Sequence, residues 1–177
     1  NMCAVAGEVA EGIRLHPVCT AKYIEQVMIP AVAKGAARGN RNPEAVDWCH
    51  KPLIATAPDE ASLGPVAESV RARVSIYLAT PAYKAAFEVH GWEDKVDHAA
   101  SLSREQRWEE IPALVDDEMF HTIATVGTYD QIANLLNERF GNLIDRIEFS
   151  IPVADSDSAE ALSDMLAVIR ETDSLRP

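Results

Sequence analysis

Apolar and polar positions along the chain switch between two periods. Gly12–His16 (GIRLH), Val46–Thr56 (VDWCHKPLIAT) and Arg146–Pro152 (RIEFSIP) read as short strands, and the stretches between them carry apolar residues at helical spacing. Met2–Glu11 is helical in pattern and is stopped by Gly12, a tight connection into the first strand. Pro17 ends that strand, and Thr20 is placed to cap a helix with Tyr23, Ile24, Val27, Met28 and Ile29 on its inner stripe. Pro30 falls inside this pattern and predicts a kink or a second helix. The small-residue tract Ala31–Gly39 ends in the polar loop Gly39–Pro43. Pro52–Thr56 is apolar nearly throughout, as in a parallel strand buried on both faces.

After Thr56-Ala57-Pro58-Asp59-Glu60, a helix-start signal with acidic residues in the first turn, no strand is predicted across Ala61–Thr125. Helices are expected at Glu60–Leu78, Pro81–His90, Trp92–Ala100, Ser103–Glu110 and Ile111–Thr122. Such an excursion either covers an active site, or buries its own small core or makes a subunit contact. Thr128 with Gln131 three residues on predicts a capping box, followed by Ile132, Ala133, Leu135, Leu136 and Phe140, with Gly141 as the stop. In Arg146–Pro152, Ile147, Phe149 and Ile151 alternate with Arg146, Glu148 and Ser150. Ser158–Arg170 is a final amphipathic helix, and Glu171–Pro177 a tail.

Strand–helix–strand alternation predicts an α/β fold with a parallel sheet. Three such strands cannot close, since a complete barrel needs eight strand–helix units and about 250 residues. With Asn1 already inside a helical pattern, the expectation is the C-terminal portion of a TIM (β/α)8 barrel. Residues 1–153 form the partial barrel, with a helical insertion at about 61–125, and residues 154–177 the terminal helix and tail. An open barrel of this kind is expected to leave a large apolar sheet face that something must cover.

Composition narrows the function. Hydrophobic residues at 47% with 25% charged describe a globular chain. A net charge of −12 argues against a nucleic-acid partner. No segment has the run of apolar residues a membrane span requires, and no leader pattern is present, so a cytoplasmic location is expected. Cys3, Cys19 and Cys49 lack CxxC spacing and read as reduced, mostly buried thiols.

Chemistry in such a sheet belongs at the strand C-termini, which singles out Arg14 to His16, Thr56 with Asp59, and Ser150 to Pro152. His16 is the leading candidate: it either donates a hydrogen bond or a proton to a bound ring, or holds the loop backbone. Thr56 either offers a hydroxyl to a ligand or caps the next helix. His50, His90, His98 and His121 show no metal spacing, so no metal is expected, and Asp116-Asp117-Glu118 reads as a solvated helix face. No phosphate-loop or nucleophile-elbow motif occurs.

Five segments in order carry a family likeness: Ala4–Pro17 (AVAGEVAEGIRLHP), Lys51–Glu60 (KPLIATAPDE), Tyr77–Trp92 (YLATPAYKAAFEVHGW), Val126–Leu136 (VGTYDQIANLL) and Asp145–Pro152 (DRIEFSIP). Together they resemble the luciferase-like monooxygenase family, in its branch of oxidoreductases using the deazaflavin coenzyme F-420. The resemblance implies that Gly12–His16, Lys51–Thr56 and Arg146–Pro152 are strands six, seven and eight of the barrel, with the insertion after strand seven near the cofactor mouth. It also implies a phosphate held at the N-terminus of helix Met2–Glu11, with Asn1 and Met2 at its edge. His16 becomes the catalytic candidate, in contact with ring or substrate, and Thr56 a cofactor-binding one.

The implied activity is hydride transfer or monooxygenation of a small organic substrate, with coenzyme F-420 or, alternatively, FMN. The competing expectation is a non-catalytic truncated barrel, acting as an oligomerisation or ligand-binding module. The partners implied are a small-molecule substrate and either the missing N-terminal half or a second copy in a homo-oligomer.

Overall fold

A computed structural model describes residues 2–171. The α/β expectation holds: every strand pairing among the described residues is parallel. The chain divides into two compact units, Asn1–Pro52 with Ala133–Pro177, and Leu53–Ile132.

The first unit opens with helix α1 (Met2–Val9), strand β1 (Gly12–Leu15), a short α2 (Ala21–Tyr23), a π-helical segment (Ile24–Met28) and α3 (Ile29–Arg38). α1 and α3 pack through backbone contact. A Cβ on Gly7 would lie 2.1 Å from the Val32 carbonyl oxygen, and one on Gly35 would lie 1.8 Å from that of Ala4. Only glycine permits this approach. Arg41 then closes the C-terminus of α1, its Nη1 donating to the Ala10 carbonyl at 2.7 Å and its Nη2 to Glu11 at 3.2 Å. The π turn answers Pro30, which has no N–H to return to the preceding turn and crowds its carbonyl. The Ile29 N–H reaches back to Ile24 instead, and α3 begins with Pro30 in its first turn.

The run Val46–Thr56, expected as one strand, is two. β2 (Asp47–His50) belongs to the first unit and β3 (Leu53–Ala57) to the second. Val46, Trp48 and His50 are buried, then Pro52 and Leu53 are both buried, then Ala55 and Ala57, so the alternation slips by one residue. Pro52 is the cause, because it cannot donate to a ladder.

β3 starts the second unit. It is followed by α4 (Glu60–Leu78), a 3-10 turn (Pro81–Tyr83), α5 (Lys84–Glu88), α6 (Glu93–Arg104), a 3-10 stretch (Trp108–Leu114), α7 (Asp117–Ile123) and β4 (Ala124–Thr128). β4 corrects the expectation of no strand before Thr125: it pairs in register with β3, from Leu53↔Ala124 to Ala57↔Thr128. The expected helices Trp92–Ala100 and Ser103–Glu110 become α6 and the 3-10 stretch, and Pro112 breaks the expected Ile111–Thr122 helix. Asp116 and Asp117 are more than a solvated face. Asp116 caps α7 by accepting from the Met119 N–H at 3.0 Å, and Asp117 holds Arg71 at 2.7 Å. Arg71 also donates to the Val115 carbonyl at 2.8 Å and lies over the Phe120 ring, tying α4 to α7.

The chain then returns to the first unit through α8 (Ile132–Phe140), β5 (Arg146–Ile147) and α9 (Ser156–Glu171). The capping box before α8 forms by half: the Gln131 side chain accepts the Thr128 N–H at 3.1 Å, but the Thr128 hydroxyl turns to Asp130. β5 is shorter than the expected Arg146–Pro152, although the Glu148 N–H still reaches the His50 carbonyl at 2.7 Å. Of the expected tail, residues 172–177 lie outside the described residues.

The sheet order is β1-β2-β5. One face carries Ile13, Leu15, Trp48, His50 and Ile147, with Trp48 and His50 fully buried. The other carries Arg14, Asp47, Cys49 and Arg146, exposed or half-buried, and the ion pair Arg146–Asp47 at 3.1 Å. This corrects the expected uncovered apolar face: in this unit the uncovered face is polar. Cys3, Cys19 and Cys49 are free thiols, Cys19 buried and the other two half-buried.

Candidate functional site

At the end of β1 the sequence His16-Pro17-Val18-Cys19 folds into a turn. Pro17 presets the second position, and the Cys19 N–H donates to the His16 carbonyl at 2.9 Å. The Val18 N–H donates to Nδ1 of the His16 ring at 3.3 Å. An acceptor Nδ1 carries no proton, so the neutral ring bears its hydrogen on Nε2. Burial lowers the His16 pKa from its ordinary value, which keeps the ring neutral at physiological pH. Thr20 caps α2, its Oγ1 accepting from the Tyr23 N–H at 3.2 Å. His16 therefore braces the loop through Nδ1, one of the two roles weighed for it.

Beside this turn stands His50, the last residue of β2 and in register with Leu15. Its ring is fully buried, neither nitrogen meets a hydrogen-bond partner, and the Phe140 ring packs edge-on at 4.8 Å. Burial lowers its pKa to about 4, the Cys19 backbone beside it partly offsets this, and Arg139 and His16 oppose a positive charge there. Burial also pushes the Cys19 thiol up to about 12. That thiol is not a nucleophile at neutral pH.

The second unit presents Thr56 near the C-terminal end of β3, opposite Gly127 of β4. Its Oγ1 is buried and has no partner, so it does not cap the following helix. Asp59 does that, accepting from the Ser62 N–H at 2.8 Å, which lowers its own pKa. With Asp59 and Glu60 at its start, α4 does not offer an anion site. The first turn of α1 carries no acidic residue, and Met2 there is exposed. Asn1 lies outside the described residues.

His16 and Met2 belong to the first unit and Thr56 to the second. Among the described residues, no group of His, Cys, Asp and Glu could hold a metal ion, and no helix is long and apolar enough to cross a membrane. Two features were missed in the sequence. His50 was weighed only as a metal ligand, and burial without a partner has no sequence signature. The other is a charge cluster in which Arg14 and Lys51 both meet Glu148, the latter at 3.0 Å. Its only trace in the sequence was the polar alternation of Arg146 and Glu148.

Comparison with known proteins places this geometry. Residues 1–146 match the family described as luciferase-like monooxygenase. Uncharacterized proteins of Mycobacterium tuberculosis and Mycobacterium bovis are each 34% identical over 169 residues, covering 96% of this chain and 49% of their own length. The chain thus spans about half the length of the curated relatives it matches. The coenzyme F420 dependent tetrahydromethanopterin reductase of Methanopyrus kandleri shares the fold, with a TM-score of 0.64 at 19% identity over 98% of this chain and 47% of that one. The chain belongs to the luciferase-like monooxygenase family.

Proposed function

We propose that this chain is the C-terminal part of a TIM-barrel oxidoreductase that uses coenzyme F-420, with FMN as the alternative, to act on a small organic substrate. Family membership and the cofactor dependence of the Methanopyrus kandleri neighbour support the class. The observation that carries the reading is the His16 ring, which the Val18 N–H sets with its hydrogen on Nε2 at the end of a parallel strand. The residues present fit such a ligand. Thr56 has a buried hydroxyl without a partner, and the first turn of α1 is free of the carboxylates that guard α4.

A bound deazaflavin or flavin supplies hydride-transfer chemistry. The protein's part is to bind, orient and keep water out. His16 donates a hydrogen bond from Nε2 to a carbonyl or ring acceptor, and stays neutral while doing so. Thr56, in the other unit, is a separate candidate for offering a hydroxyl to the cofactor, and the first turn of α1, with Met2, is the candidate for holding a phosphate on backbone N–H groups. The helices α4 to α7 set substrate choice.

The polar uncovered face of the β1-β2-β5 sheet counts against the alternative of a module that self-associates through an apolar sheet face. The test is reduction of coenzyme F-420 by the full-length protein offered a panel of small alcohols, read as loss of the coenzyme's visible absorbance. His16→Ala is expected to slow it without unfolding the protein. Absence of turnover with both F-420 and FMN would overturn the reading.

A further inference from the structure

His50 is a buried polar side chain that the proposed chemistry does not use, and it stands against the turn that carries His16. It ends β2 in register with Leu15, so the next residue along β1 is His16 itself. Both histidines, the turn and α8 belong to the first unit. His50 lies on the sheet face opposite Arg14, Cys49 and Arg146 and is already fully buried there, so its surroundings do not depend on what covers their face.

The groups around the ring are few and specific. Phe140 of α8 packs edge-on at 4.8 Å, and Arg139 and His16 both oppose a positive charge on it. The Cys19 backbone lies against the ring and favours a proton there. The Cys19 N–H is spent on the His16 carbonyl at 2.9 Å, so the Cys19 carbonyl is the group that acts on His50. Neither ring nitrogen closes a hydrogen bond. A buried polar group in that condition is costly, and a leucine of similar volume would avoid the cost. What the imidazole adds is an N–H beside the Cys19 carbonyl, an attraction that the low-dielectric interior strengthens even short of hydrogen-bond geometry.

We propose that His50 is a positioning residue for His16, anchoring the Cys19 end of the turn to β2 and so keeping the Val18 N–H on Nδ1 of His16. The turn is then held at both ends, by β1 at His16 and by His50 at Cys19. Val18 lies between them, and its 3.3 Å contact decides which nitrogen of His16 keeps the hydrogen. Without the anchor the His16 ring is free to exchange tautomers. The consequence for turnover rests on the reading that His16 faces the ligand, whereas the positioning itself is read with no ligand present.

The test is long-range proton–nitrogen NMR of the histidine rings in the full-length protein at pH 7.5, with His16 assigned from its loss in His16→Gln. The wild-type protein is expected to show His16 with its hydrogen fixed on Nε2. His50→Leu, with the fold kept, is expected to move both His16 nitrogen signals toward the average of two exchanging tautomers. His50→Gln, which keeps a side-chain N–H for the Cys19 carbonyl, is expected to restore the fixed tautomer. Unchanged His16 signals in His50→Leu would overturn the proposal. Equal loss in both variants would overturn it too, by making His50 a packing residue only. A further reading needs no change at His50: in His16→Gln protein, the Cys19 carbonyl-carbon signal is expected to follow the His50 ring signals on acidification from pH 7.5 to 4.5. A Cys19 signal indifferent to His50 would remove the anchor. Because no cofactor enters any of these measurements, failure here is distinct from failure of the oxidoreductase reading.

Discussion

The Val18 backbone N–H donates to Nδ1 of His16 at 3.3 Å, and this one bond decides what the imidazole can do. It leaves Nε2 as the protonated nitrogen, and burial lowers the pKa of the ring. Being neutral above its ordinary pKa, His16 donates a hydrogen bond without giving up a proton. In the proposed oxidoreductase, His16→Gln keeps an amide donor near Nε2 and is expected to retain most turnover. His16→Ala is expected to lose roughly tenfold or more. Turnover is expected to have no limb between about pH 7 and 9 that His16→Gln removes. Finding such a limb would make His16 a proton donor and contradict its assigned role.

His50 predicts an acid-sensitive first unit. Its folded pKa is about 4, below the ordinary 6.5, so between these values the unfolded chain binds the proton more tightly. Stability is therefore full above about pH 6.5 and falls as the pH drops toward 4, by at most roughly 3 kcal/mol from this residue. His50→Leu is expected to flatten that part of the slope, measured by urea unfolding at pH 5 and pH 7.5. An unchanged difference between the two pH values would remove His50 as its source.

Gly35 and Gly64 make a matched pair with opposite expected signs. A Cβ at Gly35 would meet the Ala4 carbonyl, whereas one at Gly64 meets nothing within 4 Å. Gly35→Ala is expected to cost about 2 kcal/mol or more by forcing α1 from α3. Gly64→Ala, in α4, is expected to gain about 0.5–1 kcal/mol from helix propensity. Thermal unfolding of both variants checks the close approach of α1 and α3.

Thr56 also separates fold from function. Its buried hydroxyl has no partner, so Thr56→Val is expected to leave ligand-free stability unchanged or raise it by about 1 kcal/mol. The same change is expected to weaken cofactor binding roughly fivefold, and Thr56→Ser to preserve it. A loss of stability without any loss of binding would give the hydroxyl a structural role instead.

Much of the fold was legible because period and punctuation agree locally. Pro17 turns the chain after His16 and Thr20 caps α2, although α1 ends at Val9, short of Gly12, which opens β1. Legibility failed where tertiary context overrides local pattern. Val46–Thr56 looks continuous because Pro52 sits among apolar residues, and only pairing shows that it separates two strands. β4 was hidden because α7 runs into it at Ile123-Ala124 without a turn residue between them. That His16 falls just past the end of β1 and Thr56 near the end of β3 was legible from the pattern. The cluster of Arg14 with Glu148 was not, since 134 residues separate the two in sequence.

The central claim is that a deazaflavin or flavin binds this protein, with His16 and Thr56 each tested as a contact. Its most direct measurement is an equilibrium fluorescence titration of the full-length protein with coenzyme F-420 and, in parallel, FMN, repeated on Thr56→Val and His16→Ala. Saturable binding of one of them, weakened in both variants while the fold is kept, is the expected result. Folded protein that binds neither, or binds with no change in either variant, would contradict it.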